Sequence, residues 1–454
     1  MFSLDDIVKA TGGGVSACEP LKNTNFSGAS IDTRTLKSDE LFVPLKGDNV
    51  DGHDFLEAAL SISGCCLSSR RETVKPSQGT VIVYVEDTLR ALQSIGAYIR
   101  NKKSIPVIAI TGTNGKTTTK EIVSNVLSFG YKVFKSTGNF NNHIGLPLSL
   151  TKLNKENAVV LEMGASVPGD IELLCNIAVP DTGIVTNLGP GHLEGFGDME
   201  TLRKTKLELM DFASVVIVNG DDKYLMEEVN RKNESLNRVI VTYGFGKDSL
   251  VRAQNVEPVR DGFGFSAQVT FPDGDSKKLT TKIPGIFNIH NALAAISAGF
   301  VHGINKNDMV SAVSGFSGVS MRLEIEKRKG MTLIKDIYNS NPASTVSAVK
   351  ELCRLKDRRT VAVLGDMLEL GKDSEKYHME LGRLLCAEGV DVFIAVGPLM
   401  GFAAEEYIKC VNSGGVYKAE TAVEAAAILN RVAAYGDTVL VKGSRKLKME
   451  GVLG

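Results

Sequence analysis

The sequence predicts an α/β protein in three domains. Three observations carry that reading: a length of 454 residues, two separate series of short apolar runs alternating with helical segments, and a glycine loop set between a buried strand and a helix. At roughly 150 residues per domain the chain can build about three cores. The strands of both series are apolar on consecutive positions, which requires burial on both faces and hence mostly parallel sheets.

Residues 1–87 carry the runs ELFVPLKG, GCCLSSR and TVIVYVED between Gly, Asp and Ser clusters, the pattern of a small N-terminal α/β module that serves as a binding platform. Residues 88–318 hold the first alternating series, PVIAITG, AVVLEMG, TGIVTNLG, SVVIVNGDD and RVIVTYG, a central parallel-sheet domain of the P-loop ATPase-like type. Within it, residues 250–283 predict an antiparallel insertion: VRDGFGFSAQVTF, a PDGD turn and KKLTTKIPG. Residues 319–454 hold the second series, from MTLIKDIYN and the helical ASTVSAVKELCRL to DTVLVKGS, a C-terminal Rossmann-like domain. The small-residue boundary GFSGVSMR reads as a hinge.

Lys plus Arg number 52 and Asp plus Glu 53, a net charge of -1, so there is no global basic field for nucleic acid and none is expected as a partner. The apolar stretches fall short of the roughly 18 residues of a membrane span. Seven cysteines, an odd number without a C-x-x-C pair, fit a reducing compartment, and Asp5 and Asp6 stand where a secretion signal needs cations. A cytoplasmic monomer is expected.

The apolar PVIAI runs into TGTNGKTTTKEIVSNVLSFG, where Ile122, Val123, Val126 and Leu127 keep helical spacing and Gly130 can stop the helix. A lone G-K-T is common by chance, but strand, glycine loop and helix together form a phosphate cradle. In it successive backbone N–H groups and the helix N-terminus face the anion. The candidate nucleotide loop is Gly112, Thr113, Asn114, Gly115, Lys116, Thr117 and Thr118. Lys116 can reach the β and γ phosphates and the Thr117 hydroxyl can hold Mg²⁺. The loop is a variant, because the general spacing would place a glycine where Ile110 stands.

That loop, with GNFNNHIGLPLSL at 138–150, LEMGA at 161–165 and GHLEGFG at 191–197, resembles the Mur ligase family, ATP-dependent amide-bond ligases of peptidoglycan precursor synthesis. IDTRTLKSDELFVPLKGDNVDGHDF at 31–55, YNSNPAS at 338–344, VLGDMLELG at 363–371 and LVKGSR at 440–445 are similar to the branch that adds D-Ala-D-Ala to a UDP-MurNAc-tripeptide. The resemblance implies ATP and Mg²⁺ as cofactors and those two molecules as substrates. The tripeptide carboxylate would attack the γ phosphate to give an acyl phosphate, from which the incoming amine displaces phosphate. It leaves open whether the third peptide residue is diaminopimelate or lysine.

By the same resemblance the catalytic set is Lys116, Lys206 and His192, and the metal set is Thr117, Glu162, His192 and a Lys206 carbamylated by CO₂, with Lys204 as the alternative. Asn291 would lie near the adenine with Asn288, itself a fair helix N-cap. Arg322 and Asp336 would reach the ATP phosphates and ribose. Thr33, Arg34, Lys46 and Gly47 would contact the UDP sugar, making 1–87 the UDP-substrate-binding domain. Asn139, Asn141 and Asn142 would line the substrate path, although a plain turn also uses Asn and Gly. Tyr338, Asn339 and Asn341 would hold D-Ala-D-Ala, with Lys442, Ser444 and Arg445 at its carboxylate. His143 has no settled role, His53 and His378 read as structural, and His290 and His302 as helix-face residues.

Overall fold

The computed structural model describes residues 1–71, 74–260, 262–410 and 415–454. Its centre is a nine-stranded sheet in the order Ser276–Thr280, Phe265–Thr270, Val251–Pro258, Val239–Gly244, Val215–Asn219, Thr182–Val185, Val107–Thr111, Ala158–Glu162, Val133–Lys135. The six strands from Val239–Gly244 to Val133–Lys135 pair in parallel. VIAIT and AVVLE are buried along their whole length because helices cover both faces, as their unbroken apolar runs require. The expected insertion at 250–283 is antiparallel, but it is not a separate appendage. Val251–Pro258 pairs in parallel with Val239–Gly244, so the two hairpin strands that follow extend the same sheet.

The C-terminal part forms a six-stranded sheet, Glu324–Arg328, Met331–Asp336, Asp437–Lys442, Arg359–Gly365, Val392–Val396, Val416–Ala419, parallel except for its first strand. That first strand, EIEKR, has the composition of a solvated charged stretch. It is an edge strand, its glutamates paired across the hairpin with Lys335 at 2.7 and 3.1 Å, and charge on an edge discourages further pairing.

The N-terminal part is a mixed five-stranded sheet, Gly14–Ala17, Val81–Tyr84, Cys65–Ser68, Glu40–Phe42, Gly28–Ser30, beside the pair Phe2–Ser3 and Asn25–Phe26. Its core does not stand apart. Phe26, Leu41 and Val83 belong to one continuous apolar cluster with Val107 and Leu161 of the central sheet. The connection runs through helix Thr88–Asn101, whose start is capped by the Asp87 carboxylate accepting from Leu89 and Arg90 N–H. Although the cysteine pattern reads as that of a reducing compartment, Cys386 pairs with Cys410, Cα atoms 6.1 Å apart, because helices Ser374–Ala387 and Met400–Ile408 pack side by side.

Two helices set the position of the central loops. Lys116–Leu127 begins at the phosphate loop, and Phe287–Val301 brings Asn288 and Asn291 beside it. They approach closely because Gly299 has no side chain: a Cβ there would lie 2.5 Å from Val126 Cγ1 and 3.0 Å from the Met309 side chain. Gly299→Val should therefore destabilise the protein by about 1–3 kcal/mol through overpacking, read as a lower urea midpoint at unchanged slope. An unchanged midpoint would show that the interface has room to spare.

Candidate active site

The carboxyl ends of the central strands open onto a cavity of about 730 Å³ walled also by residues of the C-terminal part. This is where ligands bind in open parallel sheets. Gly112 and Gly115 shape its floor with φ of 134° and 81°; Cβ atoms there would meet Thr186 Oγ1 at 2.1 Å and Asn291 Oδ1 at 2.5 Å. One expectation needs correcting. The N–H groups of Thr113 and Asn114 do not face a phosphate, because they donate to the backbone and side-chain oxygens of Asn187 at 3.0 and 3.1 Å. Among the described residues, the N–H groups of the first turn of helix Lys116–Leu127, at Lys116, Thr117 and Thr118, have no intrahelical partner and remain for a ligand. Lys116 Nζ folds back to the carbonyls of Gly112 (2.9 Å) and Thr113 (3.1 Å), and burial lowers its pKa although Glu162 opposes the shift.

Glu162, the last residue of strand Ala158–Glu162, is 3% exposed. Its oxygens accept from neutral donors, Thr117 Oγ1–H and Asn141 Nδ2–H, each at 2.9 Å. Among the described residues it has no ion pair. A buried carboxylate with neutral partners beside a hydroxyl is the oxygen-rich, negatively charged setting that Mg²⁺ takes. His192, in left-handed conformation with φ of 55°, lines the same cavity, its Nδ1 2.6 Å from Glu369 of the C-terminal part.

The two lysines of helix Met199–Leu207 part company. Lys204 is exposed and paired with Glu200 at 2.6 Å. Lys206 is buried, with one long hydrogen bond to the Ala165 carbonyl (3.3 Å) on the cavity wall. Loss of water pulls its pKa down to about 7, Lys116 adds to that, and Asp170 and Glu208 act against it.

At the other end of the cavity, Asn291 accepts from Thr119 Oγ1–H at 3.2 Å and donates to Asn288 at 2.7 Å. Asn288 is not an N-cap: it lies inside helix Phe287–Val301 and donates to the Pro284 carbonyl. Arg322 lies 3.9 Å over the Tyr338 ring. Asp336 is held by Lys442 Nζ at 2.6 Å, and the same ammonium donates to the Asn339 carbonyl at 2.9 Å, so burial of Lys442 is tied to that pair rather than left for a ligand.

Asn139, Asn141 and Asn142 all line the cavity, but Asn142 Oδ1 accepts from the N–H groups of Ile144 and Gly145, the plain-turn use. Asn341 caps helix Pro342–Arg354 and crosses to Asn114 Oδ1 at 2.8 Å. Ser444 and Arg445 are not brought to the cavity: Ser444 Oγ accepts from Leu368 N–H, and Arg445 pairs with Glu450. Thr33, Arg34, Lys46 and Gly47 lie on the N-terminal part, outside the cavity walls, and the Arg34 guanidinium is paired with Asp32. Sequence reasoning missed His290. It lines the cavity, hydrogen-bonded to Asp221 at 2.8 Å and packed 4.2 Å from the Phe245 ring. The double aspartate after strand Val215–Asn219 was the available signal.

Residues 110–299 match the Mur ligase middle domain and residues 321–445 the Mur ligase, glutamate ligase domain. The UDP-N-acetylmuramoyl-tripeptide--D-alanyl-D-alanine ligase of Bacillus subtilis (strain 168) is 34% identical over 446 residues, 97% of this chain and 95% of the relative. This chain belongs to the Mur ligase family. It is accordingly an ATP-dependent ligase. Two solved Mur ligases are similar throughout. Crystal structure I of MurF from Acinetobacter baumannii has a TM-score of 0.89 at 28% identity, covering 100% of this chain and 98% of that one. The MurF ligase of Thermotoga maritima in complex with ADP has a TM-score of 0.81 at 28% identity, with 94% and 96% covered.

The Lys206 environment of this Mur ligase yields a pH test. Its pKa is depressed in the folded state, so between about pH 7 and the ordinary lysine range the unfolded chain binds more protons, and stability rises with pH across that window. Below pH 7 both states are protonated and the full cost of the buried ammonium remains. In CO₂-free buffer, wild type should gain on the order of 1–2 kcal/mol over Lys206→Met between pH 7 and pH 9 by urea unfolding. A difference that is flat or falls with pH would mean that Lys206 is solvated.

Proposed function

We propose that this Mur ligase joins D-alanyl-D-alanine to UDP-N-acetylmuramoyl-tripeptide at the expense of ATP, as a cytoplasmic monomer. The full-length similarity to the Bacillus subtilis ligase carries the substrate assignment. Residues 1–87 would take the UDP-sugar end, 88–318 ATP and 319–454 the incoming dipeptide.

The reaction brings three anionic groups together, so orientation and charge neutralisation are the protein's tasks. The free N–H groups at Lys116, Thr117 and Thr118 receive the β phosphate, and Lys116 swings from its loop carbonyls to the β and γ oxygens. Arg322, stacked on Tyr338, neutralises the γ phosphate from the opposite wall. Asn288 and Asn291 border the base, and Asp336, steadied by Lys442, accepts from the ribose hydroxyls. The tripeptide carboxylate then meets the γ phosphorus beside Asn139 and Asn141, forming the acyl phosphate and ADP. The dipeptide amine adds to the acyl carbon, and phosphate leaves, with Tyr338, Asn339 and Asn341 flanking the dipeptide.

Thr117 and Glu162 would hold one Mg²⁺, and His192 with a carbamylated Lys206 a second; bound there, the ions neutralise phosphate oxygens. Lys206 suits that modification because a lysine with pKa near 7 is largely the neutral amine that adds to CO₂, and the product is an anionic oxygen donor.

Phosphate release should require both the UDP-linked tripeptide and D-Ala-D-Ala. Equal release without them would refute the ligase assignment for these substrates. Lys116→Ala should lower turnover by at least about 100-fold in a folded protein, since a loop cation on the transferred phosphate is lost. Lys206→Ala should be inactive and partly restored by formate, whereas Lys204→Ala should match wild type. Full activity of Lys206→Ala without CO₂ would remove the carbamate while leaving the ligase reading intact.

A further inference from the structure

We propose that Glu369 is a positioning residue for His192, fixing its imidazole tautomer across the gap between the central and C-terminal parts. The observation is the 2.6 Å contact between His192 Nδ1 and Glu369 Oε2. A carboxylate there can only accept, so Nδ1 carries a proton, and in the neutral imidazole it is Nε2 that is left with the lone pair. His192 lines the ligand cavity, and this tautomer is the one that can donate that lone pair within it.

Glu369 is itself held in place by a braced segment. Asp366 accepts from Met400 N–H at 2.6 Å. Met367 N–H donates to Nε2 of the fully buried His378, whose Nδ1–H is committed to the Ser374 carbonyl at 2.7 Å. Leu368 N–H donates to Ser444 Oγ at 2.9 Å. The backbone donors of Met367 and Leu368, just ahead of Glu369, are thus both taken up by side chains of the C-terminal part. Ser444 and His378, neither of which reaches the cavity, acquire a purpose in that bracing.

The contact is also locally specified on both sides. His192 and Glu369 both adopt the left-handed conformation, with φ of 55° and 64°. For residues other than glycine that conformation is sparsely populated and persists only where the surroundings impose it. Glu194 N–H, two residues past the histidine, donates to the Glu369 carbonyl at 3.3 Å, so backbone as well as side chain joins the two segments. The imidazole is therefore oriented only when the C-terminal part sits against the central one, which ties site assembly to that approach.

The test uses the full chain labelled with ¹⁵N-histidine, with the His192 signal identified by its loss in His192→Gln. At about pH 8, above the ordinary histidine range, wild type should show the Nδ1-protonated pattern for His192. Glu369→Ala should move it towards the Nε2-protonated form, and Glu369→Gln, whose amide oxygen still accepts, should keep it. In turnover, which rests on the ligase reading, Glu369→Ala should lower kcat by about 10–100-fold with KM values within about twofold, and Glu369→Gln should recover most of the loss. A wild-type His192 pattern in Glu369→Ala overturns the proposal, as does wild-type kcat in a variant whose pattern has changed. The spectra need no substrate, so failure of the ligase reading and failure of this one are told apart.

Discussion

The carboxylate of Glu162 is buried at the end of a parallel strand with only neutral hydrogen-bond donors around it. A charge in that position is costly unless a cation or a network of donors offsets it. The surrounding segments are arranged by that need. The helix after the phosphate loop supplies the Thr117 hydroxyl and the asparagine loop supplies Asn141, while the Glu162 backbone N–H is taken by Ser136 Oγ at 3.3 Å. Ser136 in turn offers its carbonyl to Lys120, a fully buried ammonium. A divalent cation is the natural complement of this carboxylate and hydroxyl pair beside the Lys116 ammonium.

Parallel topology explains why these segments meet. Strands Val107–Thr111, Ala158–Glu162 and Thr182–Val185 are neighbours, so the loops that follow them emerge at one edge. At that edge stand Gly112 to Thr118, Glu162 at its strand end, and His192. Their proximity follows from right-handed strand, helix, strand connections, in which every strand ends on the same side. Helix Phe287–Val301 closes the edge from one side because Gly299 lets it approach Val126.

Contacts between the central and C-terminal parts are mixed: Asn341 with Asn114, His192 with Glu369, the Glu194 to Glu369 backbone bond and Arg354 with the Phe263 carbonyl are polar, while Phe287 packs on the C-terminal core and Tyr377 on the central one. By contrast, the N-terminal part shares an apolar core with the central sheet and is bonded to it through Ala29 N–H and Thr151 Oγ1. The two junctions differ in kind, one a contact between separate cores and the other a shared core.

Sequence alone determined the central and C-terminal parallel sheets, because runs such as VIAIT and TVAVLG leave no polar face for solvent. It also determined the phosphate loop, since a glycine turn between a buried strand and an amphipathic helix admits few other uses. The edge strand EIEKR escaped notice because edges carry charge, and the Cys386–Cys410 pairing because it depends on two helices packing. Tertiary structure decided which polar groups remain available. Thr113 and Asn114 are spent on Asn187, Ser444 on Leu368 and Lys442 on Asp336, while Lys206 is buried with a long hydrogen bond to Ala165 and the Phe196 ring beside it. No spacing rule reveals these partners, because each hydrogen bond joins residues from different strands and loops whose distance exists only after the sheets have formed.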